Sequence, residues 1–130
     1  MTTTPPVATE IDFIYVFTKN FSAVLRFYET VLGLRCTKKY ERAPGAEFEC
    51  GRSTFVIVDC EAHNIEFNPN THPIALGVED FDAARTQLES RGVSFKHTLD
   101  SGVCYMGFFE DPDGNALMIH HRYASEDSVG

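Results

Sequence analysis

The 130 residues are enough for one domain with its own core and leave no room for a second. A hydrophobic share of 43%, with no apolar run of membrane-spanning length, excludes a membrane span, and a net charge of -8 repels the phosphate backbone on which nucleic-acid affinity rests. The opening MTTTPPVATE carries neither the basic nor the apolar region of a secretory signal, so the expected location is the cytosol.

Residues 1–10 are small, polar or proline and read as a disordered tail. Ile11 to Phe17, rich in β-branched and aromatic residues, predicts a strand. A helix follows from Phe21, because Phe21, Val24, Leu25, Tyr28, Val31 and Leu32 recur at spacings of three and four. Asn20 is its expected N-cap and Gly33 its stop. Strands are predicted over Leu34 to Tyr40, Ala46 to Cys50 and Ser53 to Cys60, with Gly45 and Gly51-Arg52 as turn signals. The stretch 61–71, with Asn64, Asn68, Pro69 and Asn70, has the composition of a linker. The pattern then restarts: a strand over His72 to Val78, a helix over Phe81 to Arg91 ended by Gly92, and strands over Val93 to Leu99, Val103 to Phe109 and Ala116 to Arg122. Residues 124–130 read as a second tail.

The order is βαβββ twice, as module one (11–60) and module two (72–123) of a single domain spanning 11–123, and Asn20-Phe21-Ser22-Ala23 is echoed by Asp80-Phe81-Asp82-Ala83. The fold class is therefore α+β. Cys36, Cys50, Cys60 and Cys104 form no CxxC pair and read as reduced core residues. Asp111 to Asn115 crowds two carboxylates together, but proline presetting φ, Asp and Asn capping and Gly114 at positive φ describe a turn that sets the register of the last strand, not a metal site.

The repeat, together with FYETVLGL (Phe27 to Leu34) and FFEDPDGN (Phe108 to Asn115), resembles the vicinal oxygen chelate superfamily, the glyoxalase, bleomycin-resistance and extradiol dioxygenase fold. The resemblance implies two βαβββ modules curled into half-open barrels around a ligand cavity, with two chains commonly paired in a homodimer. It also implies a divalent metal held by His, Gln or Glu on the first and last strand of each module. Counted from the motifs, those positions are Phe13, Pro73, Met118 and one of Val56, Ile57 and Val58. None supplies a donor for a hard cation, so no metal and no cofactor are expected.

Strand alternation puts Phe13, Tyr15, Phe17, Pro73, Ala75 and Gly77 on the cavity side, and Asp12 and His72 at strand edges facing away. The expected ligand-binding residues are Phe13, Tyr15, Phe17, Tyr105, Met118 and His120; no catalytic residue is assigned. His63 is expected in solvent, His97 on a sheet surface and His121 opposite to His120. In its length, acidity and lack of metal ligands the chain is closest in character to the metal-free bleomycin-resistance-like members. The reading that follows is a metal-independent small-molecule-binding or sequestering protein for a cationic or aromatic ligand. The alternative is a metal-dependent glyoxalase-like lyase or dioxygenase using displaced ligands from His72, His120, Asp12 or Asp59.

Overall fold

A computed structural model describes residues 4–125; the expected tails over 1–10 and 124–130 lie in part outside the described residues. The strands are β1 (Phe13–Thr18), β2 (Arg35–Tyr40), β3 (Gly45–Cys50), β4 (Ser53–Asp59), β5 (Ile74–Gly77), β6 (His97–Asp100), β7 (Cys104–Glu110) and β8 (Ala116–Arg122). The helices are α1 (Phe21–Arg26) and α2 (Phe81–Ser90). Both sheets are mixed, with orders β1-β4-β3-β2 and β5-β8-β7-β6; β1 runs parallel to β4, β5 runs parallel to β8, and the remaining pairs are antiparallel. Two βαβββ modules with four-stranded mixed sheets result, as the repeat predicts. No helix among the described residues is long and apolar enough to cross a membrane.

Three local expectations change. The first helix is not α-helical throughout. After Arg26 it widens into a π turn over Phe27–Val31, where the Leu32 amide donates to the Phe27 carbonyl five residues back. Asn20 sits at the N-cap, but its side chain does not cap α1 and instead donates to Asp113 of the other module. Asp80, its counterpart, does cap α2 by accepting from the Ala83 amide. The strand expected from Val93 begins only at His97, because Val93 turns inward to the core while Lys96 makes the first backbone bond to β7.

Each sheet has one face on the helices, and the helix faces of both modules share one core. Val16, Phe48, Phe55 and Ile57 of the first module and Phe109, Leu117 and Ile119 of the second belong to it, with the Phe27 and Phe109 rings 6.4 Å apart across the boundary. The Asp111 to Asn115 turn completes the junction. Asp113 accepts from the backbone amides of Lys19 and Asn20, and the Asn115 side chain donates to the Phe17 carbonyl at 3.0 Å. The segment 61–71 opens with a 3-10 turn (Glu61–His63), closed by Asn64 at φ 54°, and is tied down at its far end where the Asn70 amide donates to Asn115.

Candidate functional site

The strand period of two distributes β1 between the sheet's faces. Val16 and Thr18 are buried on the helix side, whereas Phe13 and Tyr15 stay 48% and 57% exposed on the other. The register carries this face across the sheet: Phe13 opposite Thr54, Tyr15 opposite Val56, Phe17 opposite Val58, then Glu47 beside Val56 and Gly45 beside Val58. The aromatic rings run as a ladder, Phe13 to Tyr15 at 5.0 Å edge-on and Tyr15 to Phe17 at 5.8 Å. Such apolar faces suit flat ligands.

Tyr40 closes this face through a bulge. Cys36 pairs with Phe48 on the helix side, and the register then shifts between Cys36 and Lys38, so Lys38 pairs with Glu47 and Tyr40 with Gly45 on the cavity side. Unbroken alternation would have sent Tyr40 toward the core. Its ring lies over Gly45, where a methyl group would overlap it, and its hydroxyl donates to Glu47. That bond to Glu47, with lesser desolvation, pushes the Tyr40 pKa up to about 12, so the phenol remains a neutral donor at physiological pH.

Tyr15, Phe17, Tyr40, Val56 and Val58 wall a cavity of about 500 Å³, with Arg42, Ala43, His63 and Ile65 around them. Toward the start of β1 a smaller cleft shares Tyr15, Tyr40 and Val56 and adds Asp12 and Glu47. The two ends thus differ in charge: basic groups border the larger space and carboxylates the smaller.

The expected site residues separate between the modules. Phe13, Tyr15 and Phe17 occupy one face of β1, with Tyr15 and Phe17 in the cavity wall. Met118 and His120 lie on the corresponding face of the second sheet, opposite Phe108 and Met106, and do not border this cavity. Tyr105 corrects the expectation. It pairs with His121 and shares the helix face with Phe109 and Leu117, where its ring lies 5.6 Å from that of Phe81 on α2. The parity of β7 is set by its pairing with β8, which puts Cys104, Met106 and Phe108, not Tyr105, on the face of Met118.

The register also resolves the choice among Val56, Ile57 and Val58. Tyr15 precedes Asn20 by five residues as Ala75 precedes Asp80; Ala75 pairs with Met118 and Tyr15 with Val56, so Val56 is the counterpart of Met118. Ile57 is in the core, and Asp59, on Ile57's face, accepts from the Glu61 amide. Asp12, expected to face away, borders the smaller cleft instead. His63, expected in solvent, is exposed but at the cavity's edge. His97 stacks on Phe108 at 5.7 Å, and His121 lies opposite to His120 with Nδ1 2.9 Å from the Val78 carbonyl. No group of three or more His, Cys, Asp or Glu residues suited to a metal ion occurs among the described residues. The carbon and thioether side chains at Phe13, Val56, Pro73 and Met118 do not fit a hard divalent cation.

Two mixed βαβββ modules with a cavity on the sheet face away from the helices define a known class of protein. The chain belongs to the Glyoxalase/Bleomycin resistance protein/Dioxygenase superfamily, whose family model matches residues 10–119. It is similar to the uncharacterized protein YwbC of Bacillus subtilis (strain 168), at 26% identity over 89% of this chain and all of the relative. Among solved structures it resembles TnmS3, an antibiotic binding protein from Streptomyces sp. CB03234, with a TM-score of 0.76 at 17% identity, covering 91% of this chain and 99% of that one. Lactoylglutathione lyase from Agrobacterium tumefaciens superposes with a TM-score of 0.71 at 22% identity, covering 90% and 95%. At these identities the two structures establish the shared fold.

Proposed function

We propose that this chain is a metal-independent small-molecule-binding or sequestering protein that holds a flat, largely apolar ligand on the cavity face of its first module. The observation that carries this reading is the cavity of about 500 Å³ walled by Tyr15, Phe17, Tyr40, Val56 and Val58, a volume within the roughly 300–1,000 Å³ of small-molecule sites. The side chains at the superfamily's coordination positions support it, since a hydrocarbon wall contributes dispersion and desolvation where an enzyme of the family would need an electrophile. An antibiotic-binding protein among the structures of the same fold is consistent with sequestration.

The ligand-binding set of the first module is Phe13, Tyr15 and Phe17; Met118 and His120, which do not border its cavity, are the proposed ligand-binding residues of the matching face of the second module. The exposure of Phe13 and Tyr15, and of Leu99 on β6, supports a homodimer in which a second copy covers these faces. Titration with neutral naphthalene-methanol, followed by tyrosine fluorescence, should give saturable binding that Tyr15→Ala weakens about tenfold, the worth of one lost aromatic contact. Elemental analysis of the same native preparation should find substoichiometric metal. The lactoylglutathione lyase fold match favours the competing reading, a metal-dependent lyase or dioxygenase. Stoichiometric divalent metal that disappears in His120→Ala would establish that reading instead.

A further inference from the structure

The ends of the first module's sheet are not electrostatically equivalent, and the difference specifies a ligand class. Of the residues bordering the larger cavity, Arg42 carries a permanent positive charge, and no carboxylate borders it among the described residues. Arg42 has no hydrogen-bond or ion-pair partner among the described residues, so its five guanidinium donors are uncommitted. Glu47, on the same sheet face beside Val56, borders the smaller cleft and is engaged by the Tyr40 hydroxyl. The Tyr40 ring, which could otherwise hold a cationic ligand, already has the Lys38 ammonium 5.4 Å from its centroid.

Resting on the binding reading above, we infer that the ligand of this cavity is a flat aromatic acid, its ring against Tyr15, Phe17 and Val56 and its anionic group toward Arg42. The net charge of -8 favours a cation only at long range. Its field is screened within about 8–10 Å at physiological ionic strength, whereas a guanidinium at the cavity's edge acts at contact distance. Arginine also presents a planar fork matched to carboxylates, sulfonates and phosphates.

The test uses three ligands with one ring system: naphthoate, neutral naphthalene-methanol and naphthylmethylammonium, titrated into the full chain by calorimetry. Naphthoate should bind about five- to tenfold tighter than the ammonium, the effect of one charge-assisted contact at a partly solvated site. Arg42→Gln should erase that preference by weakening naphthoate about five- to tenfold. Lys39→Gln, which alters net charge equally from an exposed position bordering a different cleft, should preserve it. The inference is overturned if the ammonium binds as tightly as naphthoate, or if the two variants behave alike. Equal binding of all three ligands would leave the binding reading intact and remove the charge assignment, and binding of none would remove both.

Discussion

Tyr28 has no exposed surface, and its hydroxyl donates to Oδ2 of Asp111, a carboxylate from the other module, at 3.1 Å. Burial, with the repulsion of that carboxylate, drives the tyrosine far above its ordinary pKa, so it is always the donor. The Asp111 side chain also accepts from the Asp113 amide and from the backbone and side chain of Asn115. Burial still raises the Asp111 pKa despite these bonds, which makes every remaining donor matter. Tyr28→Phe keeps the ring contacts with Phe48 and Phe55 and deletes one donor to a buried charge. It should therefore cost about 1–3 kcal/mol at pH 7, measured by urea unfolding. A loss below about 0.5 kcal/mol, the usual scale of a neutral surface change, would mean that the carboxylate is satisfied without it. The sequence shows Tyr28 as one member of an apolar stripe; its partner lies 83 residues away, and no local spacing could reveal the bond.

Elements were legible where the period was regular and illegible where it broke. In β1 the alternation is uninterrupted, and Phe13, Tyr15 and Phe17 share one face as the pattern predicts. In β2 one bulge reverses the parity, and with it Tyr40, the residue that closes the cavity, was missed. The cue available was Gly45, which stands opposite Tyr40 and has no side chain to obstruct its ring. On β7 the sequence pattern carries no parity relative to Met118, because Tyr105 is related to that face only through the pairing of β7 with β8. The same strand carries Gly107 on the helix face, where α2 and the segment leading to β6 close over it. A methyl group there would come within 3.1 Å of the Phe95 ring and 3.2 Å of the Phe81 ring. Phe81 is buried and Phe95 packs edge-on against Phe109 at 5.4 Å, so neither ring can retreat freely. Overpacking of this kind costs about 1–3 kcal/mol, against about 0.4–1 kcal/mol gained by stiffening the unfolded chain. Gly107→Ala should therefore lower stability by about 1 kcal/mol in denaturant unfolding; a stabilised variant would show that α2 can shift away from the sheet.

At the scale of the whole molecule, the repeat told how many modules there are but not how they are joined. Asp111 to Asn115 reads as a turn, and it is one, but its side chains also reach into the other module, so the hairpin that sets the register of β8 also fastens the first module to the second. Asp113, like Asp111 with Tyr28, contributes a carboxylate to that link. Burial alone would raise its pKa, but the amides of Asn20 and Lys19 and the Asn20 side chain outweigh it and hold the carboxyl below the usual range. A folded-state pKa below the unfolded one contributes stability that is complete above about pH 4 and fades as the pH falls toward the folded value. Asp111, whose pKa is raised, works in the opposite sense, its ionised form opposing the fold as the pH rises through the carboxylate range. Their opposition makes the Asp113 contribution separable by substitution. Asp113→Asn keeps the size of the side chain but presents one acceptor in place of two and places a second amide against Asn20. It should be less stable than the parent at pH 7 by about 1–3 kcal/mol, the scale of hydrogen bonds to a charged group, and should lose less on acidification. Urea midpoints measured at pH 7, 4 and 3 for both chains should converge as the pH falls. Parallel curves would mean that the charge of Asp113 plays no part in holding the modules together, leaving that to the shared core around Phe27 and Phe109 and to the bonds of Tyr28 and Asn115.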